Sequence, residues 1–598
     1  METLEQIRSE LHNFNLGDYF RKLKYIDDNI DISKNKSIRV AILRSYTAEM
    51  IEPMLKLRLI LAGYNPEFFW GDFNQYAQEI LDDSSALYKF KPDLILLMTR
   101  VEEFIPYFVW DFEIKTDTEW INEVQDAAKH MINLVNTLND RIPAQVIVQN
   151  MSMSSVPYWG IYDAQRSNSQ ANLLNGFNNQ LSEAFEENTK TYIWDFNNFV
   201  MRKGSDTISD PKLWYISKNP FKQSAHLEIA TDLSRYILSV LGKVIKCIVL
   251  DLDNTLWGGI IGEDGMEGIA LGHDYPGNCY MDFQRELLKL YHRGIILAIN
   301  SKNNESDAFE VIDNHPYMIL RRKHFAACQI NWGDKANNLR VLAEEINIGV
   351  DSMVMIDDNP GECDLIRQLC PECTVVQFPE KPYLVLDCIS KLPCIENIRL
   401  TDEDKKKGEI YQAQVKRKKL ETSASDLGDF FKALEMKAEI KAADKFSIPR
   451  ISQLTQKTNQ FNMTTKRYSE IDIMKFVTSS DSYVFSVSSQ DRFGDNGIIG
   501  IFILKFDGDI CLIDSFLLSC RVIGRTIEQS IAAFISEFAR EKGATTLVGE
   551  FIPTAKNQPA KDVYKNLNFI DTGDAKFTLD LQQQQIEYSP YIEHEITY

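Results

Sequence analysis

The chain has few residues of the kinds that mark disordered, membrane-spanning or secreted proteins. It contains 28 Gly and 19 Pro among 598 residues, which argues against long low-complexity stretches. No uncharged apolar run approaches the length needed to cross a bilayer, and the first residues lack the apolar segment of a signal peptide. We therefore expect a cytoplasmic protein that has no membrane partner.

Positive charge is also scarce. The 65 Lys and Arg are outnumbered by 86 Asp and Glu, so the formal net charge is -21. Nucleic-acid binding rests mostly on clustered cationic side chains, and we expect no nucleic-acid partner. Cysteine is limited to ten residues, and no His or second Cys pair follows Cys363, Cys370 and Cys373 at zinc-ligand spacing. These thiols are best interpreted as buried or incidental.

Strand and helix patterns alternate along most of the chain, which predicts an α/β fold with several domains. Short apolar runs in the first 240 residues predict strands at Ile38–Leu43, Asp93–Met98, Ala144–Gln149 and Thr191–Trp194. Longer amphipathic stretches separate them, a pattern typical of a parallel sheet with covering helices. The charged stretch from Thr401 to Lys419 predicts an exposed helix that bridges domains. We predict α/β domains over 1–240, 241–395 and 431–582, a helical linker over 396–430 and a tail over 583–598.

The clearest chemical signal is the segment that begins with Asp251, Leu252 and Asp253. An apolar strand delivers two carboxylates, two residues apart, at the point where it ends. Phosphoryl transfer needs an in-line nucleophile, a cation that neutralises oxygen charge and a proton donor for the leaving group. Asp251 can attack phosphorus to form an aspartyl-phosphate, and Asp253 can act as the general acid and base.

Three further polar clusters follow in a fixed order. Ser301, Lys302 and Asn303 end a predicted strand and offer a hydroxyl and backbone amides to phosphoryl oxygens. Lys335 can offset the charge of the nucleophile and the phosphate. Asp357 and Asp358 end another strand and supply carboxylates for Mg²⁺, which prefers oxygen ligands. Together the clusters predict a magnesium-dependent phosphatase.

A calcium-binding loop is the alternative interpretation of the first cluster. Asp251, Asp253 and Thr255 imitate the opening of an EF-hand loop. However, Leu256 stands where that loop needs Gly, and Gly262 stands where it needs its closing Glu. The sequence therefore favours the phosphatase.

The ordered clusters resemble the haloacid dehalogenase superfamily. The segments LDLDNTLWGGIIGEDG, FQRELLKLYHRGIILAINSKNN, NWGDKANNL and IDDNPGECDLIR resemble the FkbH-like family more closely, and the resemblance runs from about residue 35 to residue 580. It implies an SGNH- or flavodoxin-like N-terminal domain, a phosphatase-like domain of subfamily IIIC and a GNAT-like C-terminal domain. Characterised relatives take glyceryl from 1,3-bisphosphoglycerate, remove phosphate and load glyceryl onto the phosphopantetheine thiol of an acyl carrier protein.

The resemblance also implies roles for single residues. Asp251 would be the nucleophile and a Mg²⁺ ligand, and Asp253 would be the acid/base with its backbone carbonyl on the metal. Asp358, with Asp357, would complete the metal shell. The phosphoryl oxygens would be positioned by Thr255, Ser301 and Lys335, and a flap limiting substrate access would be formed by Trp257, Gly258 and Gly259.

One position departs from the pattern of the family. Members that load glyceryl often have Cys directly before the Ser-Lys-Asn sequence, and this chain has Asn300. Asn cannot form a thioester, so this residue argues against acyl transfer through this site and leaves the phosphatase chemistry unaffected. Three functions remain open: glyceryl transfer to a carrier protein, a phosphatase or acyltransferase acting on sugars or nucleotide sugars in surface-polysaccharide synthesis, and a scaffold that docks a carrier protein.

The flanking domains carry weaker motifs. In the N-terminal domain, the positions of Ser45, Asn150 and His226 resemble those of the catalytic residues of an SGNH hydrolase. The Gly-Asp-Ser and Asp-x-x-His motifs of such hydrolases are absent, so the sequence favours an inactive scaffold or a carrier-docking domain. In the C-terminal domain, a segment resembles the acyl-CoA loop of GNAT acetyltransferases, and Asp491 begins a predicted substrate-side loop. The residues assigned to acyl-CoA or phosphopantetheine are Arg521, Gly524, Arg525, Thr526 and Tyr564.

Overall fold

The computed structural model describes residues 3–11, 14–153, 156–390, 392, 395–400, 402–519, 521–554 and 557–598. The chain divides into two compact units, Met1–Val244 and Ile245–Tyr598. Both units combine helices with sheets, so the predicted α/β class with several domains is confirmed. No helix in the described ranges is both long and apolar enough to cross a membrane.

The first unit is built on a sheet whose described strands are all parallel and lie in the order β2-β1-β3-β4-β5. This is the flavodoxin-like order of a doubly wound fold. Alternate residues of the first strand enter different cores: Val40 and Ile42 pack on one face of the sheet, and Ala41 and Leu43 on the other. The strands are β1 (Lys36–Arg44), β2 (Tyr64–Trp70), β3 (Leu94–Met98), β4 (Gln145–Gln149) and β5 (Thr191–Trp194).

Helices cover both faces of this sheet. Several begin with side-chain caps that the sequence supplies; Thr116, for example, accepts from the backbone N–H of Glu119 in a capping box. The helices are α1 (Leu4–Glu10), α2 (Leu16–Asn29), α3 (Glu52–Leu61), α4 (Tyr76–Leu81), α5 (Ala86–Phe90), α6 (Val101–Phe104), α7 (Asp117–Arg141), α8 (Gln170–Phe185), α9 (Phe196–Lys203), α10 (Ser205–Ile208), α11 (Pro211–Ser217) and α12 (Gln223–Val240).

The second unit begins with another parallel sheet, in the order β10-β9-β6-β7-β8 among the residues described. Its central strand β6 is fully buried, because neighbouring strands and both helix layers cover it. The strands are β6 (Cys247–Leu250), β7 (Ile296–Ser301), β8 (Phe325–Ile330), β9 (Met353–Asp357) and β10 (Thr374–Gln377). The helices are α13 (Ile261–Gly268), α14 (Gly277–His292), α15 (Glu305–Asn314), α16 (Lys335–Ile346), α17 (Pro360–Leu369) and α18 (Val385–Ser390).

The rest of the second unit contains a mixed sheet in the order β17-β18-β16-β15-β14-β13-β11-β19, with β12 paired to β15. The strands are β11 (Met436–Ala442), β12 (Phe461–Asn462), β13 (Ser482–Asp491), β14 (Gly494–Asp507), β15 (Ile510–Leu518), β16 (Thr546–Glu550), β17 (Ile570–Gly573), β18 (Lys576–Asp580) and β19 (Ile592–Thr597). The helices are α19 (Asp402–Lys405), α20 (Lys407–Ser423), α21 (Leu427–Leu434), α22 (Ile448–Lys457), α23 (Glu470–Thr478), α24 (Ile527–Glu541) and α25 (Val563–Asn566).

The structure corrects two expectations about the segments between and after the domains. The predicted exposed linker helix corresponds to α20, but Tyr411 and Arg417 on this helix are buried, because α20 packs against β8 and α16. Thr401, where that prediction began, lies outside the described residues. The predicted tail over 583–598 instead contains β19, which pairs in parallel with β11.

Candidate active site

The candidate site lies where three neighbouring strands of the second sheet end. β6 lies between β9 and β7, and Asp251, Asp357 and Ser301 stand at the carboxyl ends of these strands. The backbone N–H of Asp251 donates to the carbonyl of Ile356 at 3.0 Å, which holds the first carboxylate beside the end of β9. Ligands of open α/β sheets bind at this edge, so the local chain order places the predicted residues where chemistry is expected.

Lys335 connects two of these carboxylates. Its Nζ donates to Oδ2 of Asp251 at 2.7 Å and to Oδ2 of Asp357 at 2.5 Å. All three side chains are buried. Lys335 is the first residue of α16, and the Asp334 side chain caps this helix by accepting from the N–H groups of Ala336 and Asn337. The helix start therefore fixes the position of the ammonium group.

The local electrostatics follow from crowding of negative charge in a buried place. Burial and then the nearby Asp251 raise the pKa of Asp357, although Lys335 opposes this shift. Burial, then Asp251 and Asp357, raise the pKa of Asp358 to about 6. Burial alone would lower the pKa of Lys335, but the two carboxylates hold that pKa above its ordinary value. The cluster is therefore short of positive charge despite the lysine.

Asp253, the predicted acid/base, is held by three donors. Its Oδ1 accepts from the indole Nε1 of Trp257 at 2.8 Å and from the backbone N–H of Ile261 at 3.1 Å. Its Oδ2 accepts from Nδ2 of Asn303 at 2.9 Å. Burial raises the pKa of Asp253, and these hydrogen bonds oppose the shift. The side chain has a fixed orientation and favours its protonated form more than an exposed Asp does.

Among the predicted phosphate-binding residues, two carry buried hydroxyl groups and two have side chains that already contact other residues of the site. Ser301 is buried at the end of β7, and Thr255 is completely buried with no hydrogen-bond partner for its hydroxyl among the residues described. Lys302 forms an ion pair of 2.5 Å with Glu362. Asn303 donates to Asp253, so its amide positions the acid/base rather than standing free for phosphate.

The predicted flap residues are packed tightly. Trp257 is fully buried and bonded to Asp253. Gly258 and Ala270 exchange two backbone hydrogen bonds, and a Cβ on Gly258 would lie 2.8 Å from the ring of Tyr280. Gly259 has φ +92°, and its N–H donates to Oδ1 of Asn254. The structure therefore shows a braced turn behind the acid/base instead of loosely held backbone.

Asn300, which stands where members of the family often have Cys, is held in the protein interior by hydrogen bonds. It is completely buried; its Nδ2 donates to the carbonyl of Lys335 at 2.9 Å, and its Oδ1 accepts from Nδ2 of Asn338 at 3.2 Å. These bonds attach the start of α16 to the end of β7. The residue has no nucleophilic group and supports the position of Lys335.

Two further residues brace the site without belonging to any of the predicted clusters. The Gln284 side chain donates to the carbonyl of Leu256 and accepts from the N–H groups of Ile319 and Leu320, so it anchors the loop that carries the carboxylates. Glu362 is the partner of Lys302. Neither belongs to a recognisable motif; Gln284 lies on α14, and only its complete burial distinguishes it from an ordinary helix residue.

The residues that imitate an SGNH hydrolase do not form a catalytic arrangement. The Ser45 Oγ accepts from the backbone N–H of Arg100 at 3.0 Å. His226 is buried, its pKa is lowered by burial, and neither ring nitrogen hydrogen-bonds to Ser45 or to any other side chain that the structure describes. Asn150 donates to Asp195. A Ser nucleophile needs a base in hydrogen-bond reach, so this geometry favours a non-catalytic N-terminal domain.

The structure also locates the residues assigned to acyl-CoA or phosphopantetheine. Gly524 has φ +74°, and Thr526 precedes α24, with its Oγ1 2.6 Å from the hydroxyl oxygen of Ser589. Arg521 donates to the hydroxyl of Ser519 at 3.0 Å. Tyr564 is enclosed in the core, where a Cβ on Gly549 would lie 2.3 Å from its ring, and burial raises its pKa. The burial of the Tyr564 hydroxyl argues against the predicted contact of this residue with acyl-CoA or phosphopantetheine.

Arg525 and the predicted substrate-side loop are joined by a buried ion pair. Asp491 accepts from Nε and Nη2 of Arg417 at 2.6 and 2.8 Å, and both side chains are buried. Arg525 lies beside this pair and donates to Oε1 of Gln414 at 3.1 Å. Burial and then Arg417 lower the pKa of Arg525 to about 10. The Asp491 side chain is therefore a structural anchor for α20, and the substrate-side role of the loop that it begins stays a prediction.

Comparisons with known proteins agree with the geometry. Residues 246–372 match the model of NLI interacting factor-like phosphatases, and residues 39–241 match the model of the FkbH N-terminal domain. The crystal structure of the N-terminal part of the protein BF1531 from Bacteroides fragilis, containing a phosphatase domain complexed with Mg, aligns with a TM-score of 0.59 and 28% identity. The alignment covers 65% of this chain and 100% of that chain.

Other similarities are weaker. The ribosomal-protein-S18-alanine N-acetyltransferase from Escherichia coli aligns at 13% identity with a TM-score of 0.20, covering 25% of this chain and 99% of that chain. A spermidine N-acetyltransferase from Vibrio cholerae in complex with CoA and spermine aligns at 10% identity with a TM-score of 0.20, covering 25% of this chain and 97% of that chain. No curated protein matches the sequence.

The strand-end carboxylates, the lysine that joins them and the phosphatase match define an enzyme, a phosphatase of the haloacid dehalogenase superfamily. This domain follows an FkbH N-terminal domain in the same chain, which confirms the predicted resemblance to the FkbH-like phosphatases.

Proposed function

We propose that this protein removes a phosphoryl group from a small phosphorylated metabolite by way of an aspartyl-phosphate on Asp251. The observation that carries the proposal is the buried contact of Lys335 with Asp251 and Asp357 at the ends of adjacent strands. This contact holds a nucleophilic carboxylate beside a fixed positive charge. It also leaves the acid/base Asp253 two residues away, with its own set of donors.

The reaction has two displacements. In the first, a carboxylate oxygen of Asp251 bonds to phosphorus, the bond from phosphorus to the leaving oxygen breaks, and Asp253 gives its proton to that oxygen. In the second, Asp253 takes a proton from water, the water oxygen attacks phosphorus, and the aspartyl-phosphate breaks to release inorganic phosphate and restore Asp251. Lys335 stabilises negative charge in both steps.

The residues present fit a magnesium ion. Carboxylate oxygens of Asp251, Asp357 and Asp358 lie within 4.8 Å of one another, and hard oxygen ligands are those that Mg²⁺ prefers. We propose that these carboxylates, with the backbone carbonyl of Asp253, hold the ion. When bound, Mg²⁺ supplies positive charge to the phosphoryl oxygens. The pKa of Asp358, raised to about 6 by burial and by Asp251 and Asp357, supports this proposal, because a bound cation would offset the crowded negative charge.

For the substrate, we propose a phosphoglyceryl-type donor whose glyceryl group passes to the thiol of an acyl carrier protein. The carrier thiol would displace the acyl phosphate of the donor, while the Asp251 site would hydrolyse its phosphate ester. The resemblance to the FkbH-like family supports this assignment. We place no covalent acyl intermediate on the enzyme, because Asn300 is buried, hydrogen-bonded and without a thiol.

The same observation favours a second candidate, a phosphatase acting on sugars or nucleotide sugars in surface-polysaccharide synthesis. That reaction needs the aspartyl-phosphate chemistry but no thiol at position 300.

An acyl-CoA or phosphopantetheine arm at the C-terminal domain would contact the backbone of Gly524 and Thr526, where α24 begins. The Arg525 side chain would not take part, since it is buried beside Arg417.

Phosphate release tests the proposal. Purified protein with Mg²⁺ should release phosphate from a panel of acyl phosphates, phosphoglycerates and sugar phosphates. Asp251→Asn should lower kcat by about 10⁴-fold or more, because it removes the nucleophile without changing the shape of the side chain. Asp282→Asn, which changes an exposed carboxylate paired with Arg285 on α14, is the matched control and should retain most of the activity.

The assay also separates the candidates. Intact mass measurement of a holo carrier protein, incubated with the enzyme and 1,3-bisphosphoglycerate, should show one added glyceryl group if the first candidate is right. Phosphate release from sugar phosphates without added glyceryl mass would support the second candidate. Equal inactivity of the wild type and Asp251→Asn across the panel would overturn both and favour a carrier-docking scaffold.

A further inference from the structure

An ion pair lies beside the end of the strand that carries the nucleophile. Lys302 directly follows β7, and Glu362 lies in the first turn of α17, which follows β9. Strand β6, directly followed by Asp251, lies between β7 and β9. Strands two positions apart in a sheet are separated by roughly 10 Å. The two side chains nevertheless meet at 2.5 Å, so the pair bridges the gap at the end of β6.

Lys302 is kept at the mouth of the site by its neighbours in the chain. Ser301 ends β7 at the carboxyl edge of the sheet, and Asn303 donates to the acid/base Asp253 at 2.9 Å. The side chain of Lys302 is 36% exposed, whereas that of Lys335 is 3% exposed. Lys335 is therefore enclosed with the carboxylates, and Lys302 is a cation that a substrate can reach from solvent.

The ammonium group of Lys302 has hydrogen-bonding capacity beyond its ion pair. An ammonium group carries three N–H donors. Within the described ranges, the hydrogen bond that Lys302 donates from Nζ goes to Oε1 of Glu362. The other donors can bind an anionic group of a ligand while the ion pair stays in place. A charge-assisted hydrogen bond of this kind is stronger than one between neutral groups.

Glu362 holds this ammonium group at the mouth instead of letting it extend into solvent. The backbone N–H of Glu362 donates to Oδ1 of Asn359, which caps α17. The Oε2 atom of Glu362 is buried and has no hydrogen-bond partner in the part of the chain that the structure describes. A buried acceptor without a donor costs stability, and a partly exposed ion pair adds little. Stability therefore does not account for this pair, whereas the placement of a cation does.

The charge balance of the site indicates what this cation would bind. Lys335 already pairs with two of the carboxylates that crowd the strand ends, which are Asp251, Asp253, Asp357 and Asp358. A second anionic group on the substrate would be repelled by these carboxylates unless a further cation faced it. A neutral leaving group needs no such cation. The position of Lys302 therefore favours substrates that carry two anionic groups.

We propose that Lys302 determines substrate specificity by binding a second anionic group of the substrate, a carboxylate or a second phosphate, next to the phosphoryl group that is transferred. The inference rests on the proposed phosphatase function and narrows it to substrates that carry both groups within reach of one pocket. Phosphoglycerates and sugar bisphosphates belong to this class, and monophosphates of uncharged polyols and sugars do not.

Two matched pairs of substrates test this role. 3-Phosphoglycerate differs from glycerol 3-phosphate by a carboxylate, and fructose 1,6-bisphosphate differs from fructose 6-phosphate by a second phosphate. With Mg²⁺, the wild type should have a KM at least about 10-fold lower for the more anionic member of one pair, and that pair identifies the group that Lys302 binds.

Lys302→Met should raise this KM by about 10- to 100-fold, because it removes a charge-assisted contact with the substrate. The kcat, and the KM of the less anionic member, should change by less than about 3-fold. Lys302→Arg keeps the charge and should recover most of the preference. Lys289→Met is the control, since Lys289 pairs with Glu286 on α14, and it should leave every KM unchanged.

The outcomes separate this inference from the proposed function. If the wild type releases phosphate but shows equal KM values within both pairs, or if its preference survives Lys302→Met, the inference is overturned and the phosphatase stands. A wild type that hydrolyses none of the four compounds contradicts the proposed function. Titration calorimetry of the wild type and Lys302→Met with the same compounds then decides the inference: weaker binding of an anionic member to the variant supports it, and equal affinities or no binding overturn it.

Discussion

At the scale of single residues, the site is determined by how buried charges balance. The carboxylates of Asp251 and Asp357 both form ion pairs with the ammonium group of Lys335, and Asp358 adds a third carboxylate nearby. A buried ion pair gains little net stability, because desolvation offsets the attraction, but removing one partner leaves an uncompensated buried charge. Lys335 therefore has two tasks: it stabilises the transition state, and it allows two carboxylates to be buried together before a metal binds.

Replacing Lys335 with Met tests the second task. The variant keeps the length of the side chain and removes its charge. We expect the apparent Tm of the second unit to fall by roughly 5–10 °C, because the buried carboxylates lose their cation. Added Mg²⁺ should recover part of this loss, since a divalent ion restores positive charge between them. Differential scanning calorimetry with and without Mg²⁺ measures both effects.

The Lys302→Met variant is the matched control, because Lys302 also pairs with a carboxylate but lies partly in solvent. Its Tm should change by no more than about 2 °C, and Mg²⁺ should add no specific recovery. Equal losses in the two variants would show that Lys335 has no special part in balancing the site.

At the scale of secondary-structure elements, the ends of strands and the starts of helices place the chemistry. α16 begins at Lys335, and Asn300 ties that helix start to β7. A similar use of polar side chains occurs before β8, where Nδ1 of His324 accepts from the backbone N–H of Arg321 at 2.9 Å. The His324 ring is buried beside Tyr291. Burial, and then the neighbouring positive charges, lower the pKa of His324 to about 4.

This buried histidine predicts a dependence of stability on pH. In the unfolded chain, His324 takes up a proton below its ordinary pKa of 6.5, but in the folded protein it stays neutral down to about pH 4. Its contribution is therefore fully present above pH 6.5 and is lost as the pH falls towards 4, by up to about 3 kcal/mol. Urea unfolding across this range should show a smaller loss for His324→Gln than for the wild type.

The exposed His273 provides the comparison for this prediction. His273→Gln should unfold with the same dependence on pH as the wild type. If His324→Gln and the wild type lose stability in parallel between pH 6.5 and 4, the folded protein does not keep His324 neutral.

At the scale of the whole molecule, the end of the chain belongs to the core of the second unit. β19 pairs with β11 over six residues. His594 lies 2.8 Å from the hydroxyl oxygen of Ser530 on α24, and the Tyr598 ring packs against Phe534 and Phe538. The final strand therefore covers an edge of the mixed sheet and packs against α24, so it has a structural role that its polar sequence does not indicate.

Removal of residues 583–598 tests this role. Without β19 the edge of β11 is unpaired, and the aromatic contacts of Tyr598 are lost. We expect the apparent Tm of the second unit to fall by roughly 5 °C or more, with aggregation on heating through the exposed edge. Glu595→Gln, which changes an exposed side chain and keeps the strand, should unfold like the wild type. A truncated chain with unchanged Tm would support the original expectation of a tail.

Burial on both faces decides which strands of the first sheet are recognisable in the sequence. Strands β1, β3, β4 and β5 were predicted from their apolar runs, because a strand buried on both faces leaves a clear pattern. β2 was not, because it is an edge strand with mixed burial and contains Pro66. Asn303 and Trp257 were assigned to phosphate and to a flap, although the structure shows both donating to Asp253. The order of residues along the chain does not indicate which acceptor a donor side chain will contact in the folded protein.

The sequence alone determined the α/β class and the order of the site residues along the chain, because apolar runs and the polar residues that end them are local properties. Its net charge and composition also set the expectation of a globular acidic protein. Only the tertiary structure decided that Lys335 lies between Asp251 and Asp357, that Tyr564 and Arg525 are buried, and that the last residues form a strand. These outcomes depend on contacts between segments far apart in the chain, where burial and competing partners decide which bonds form.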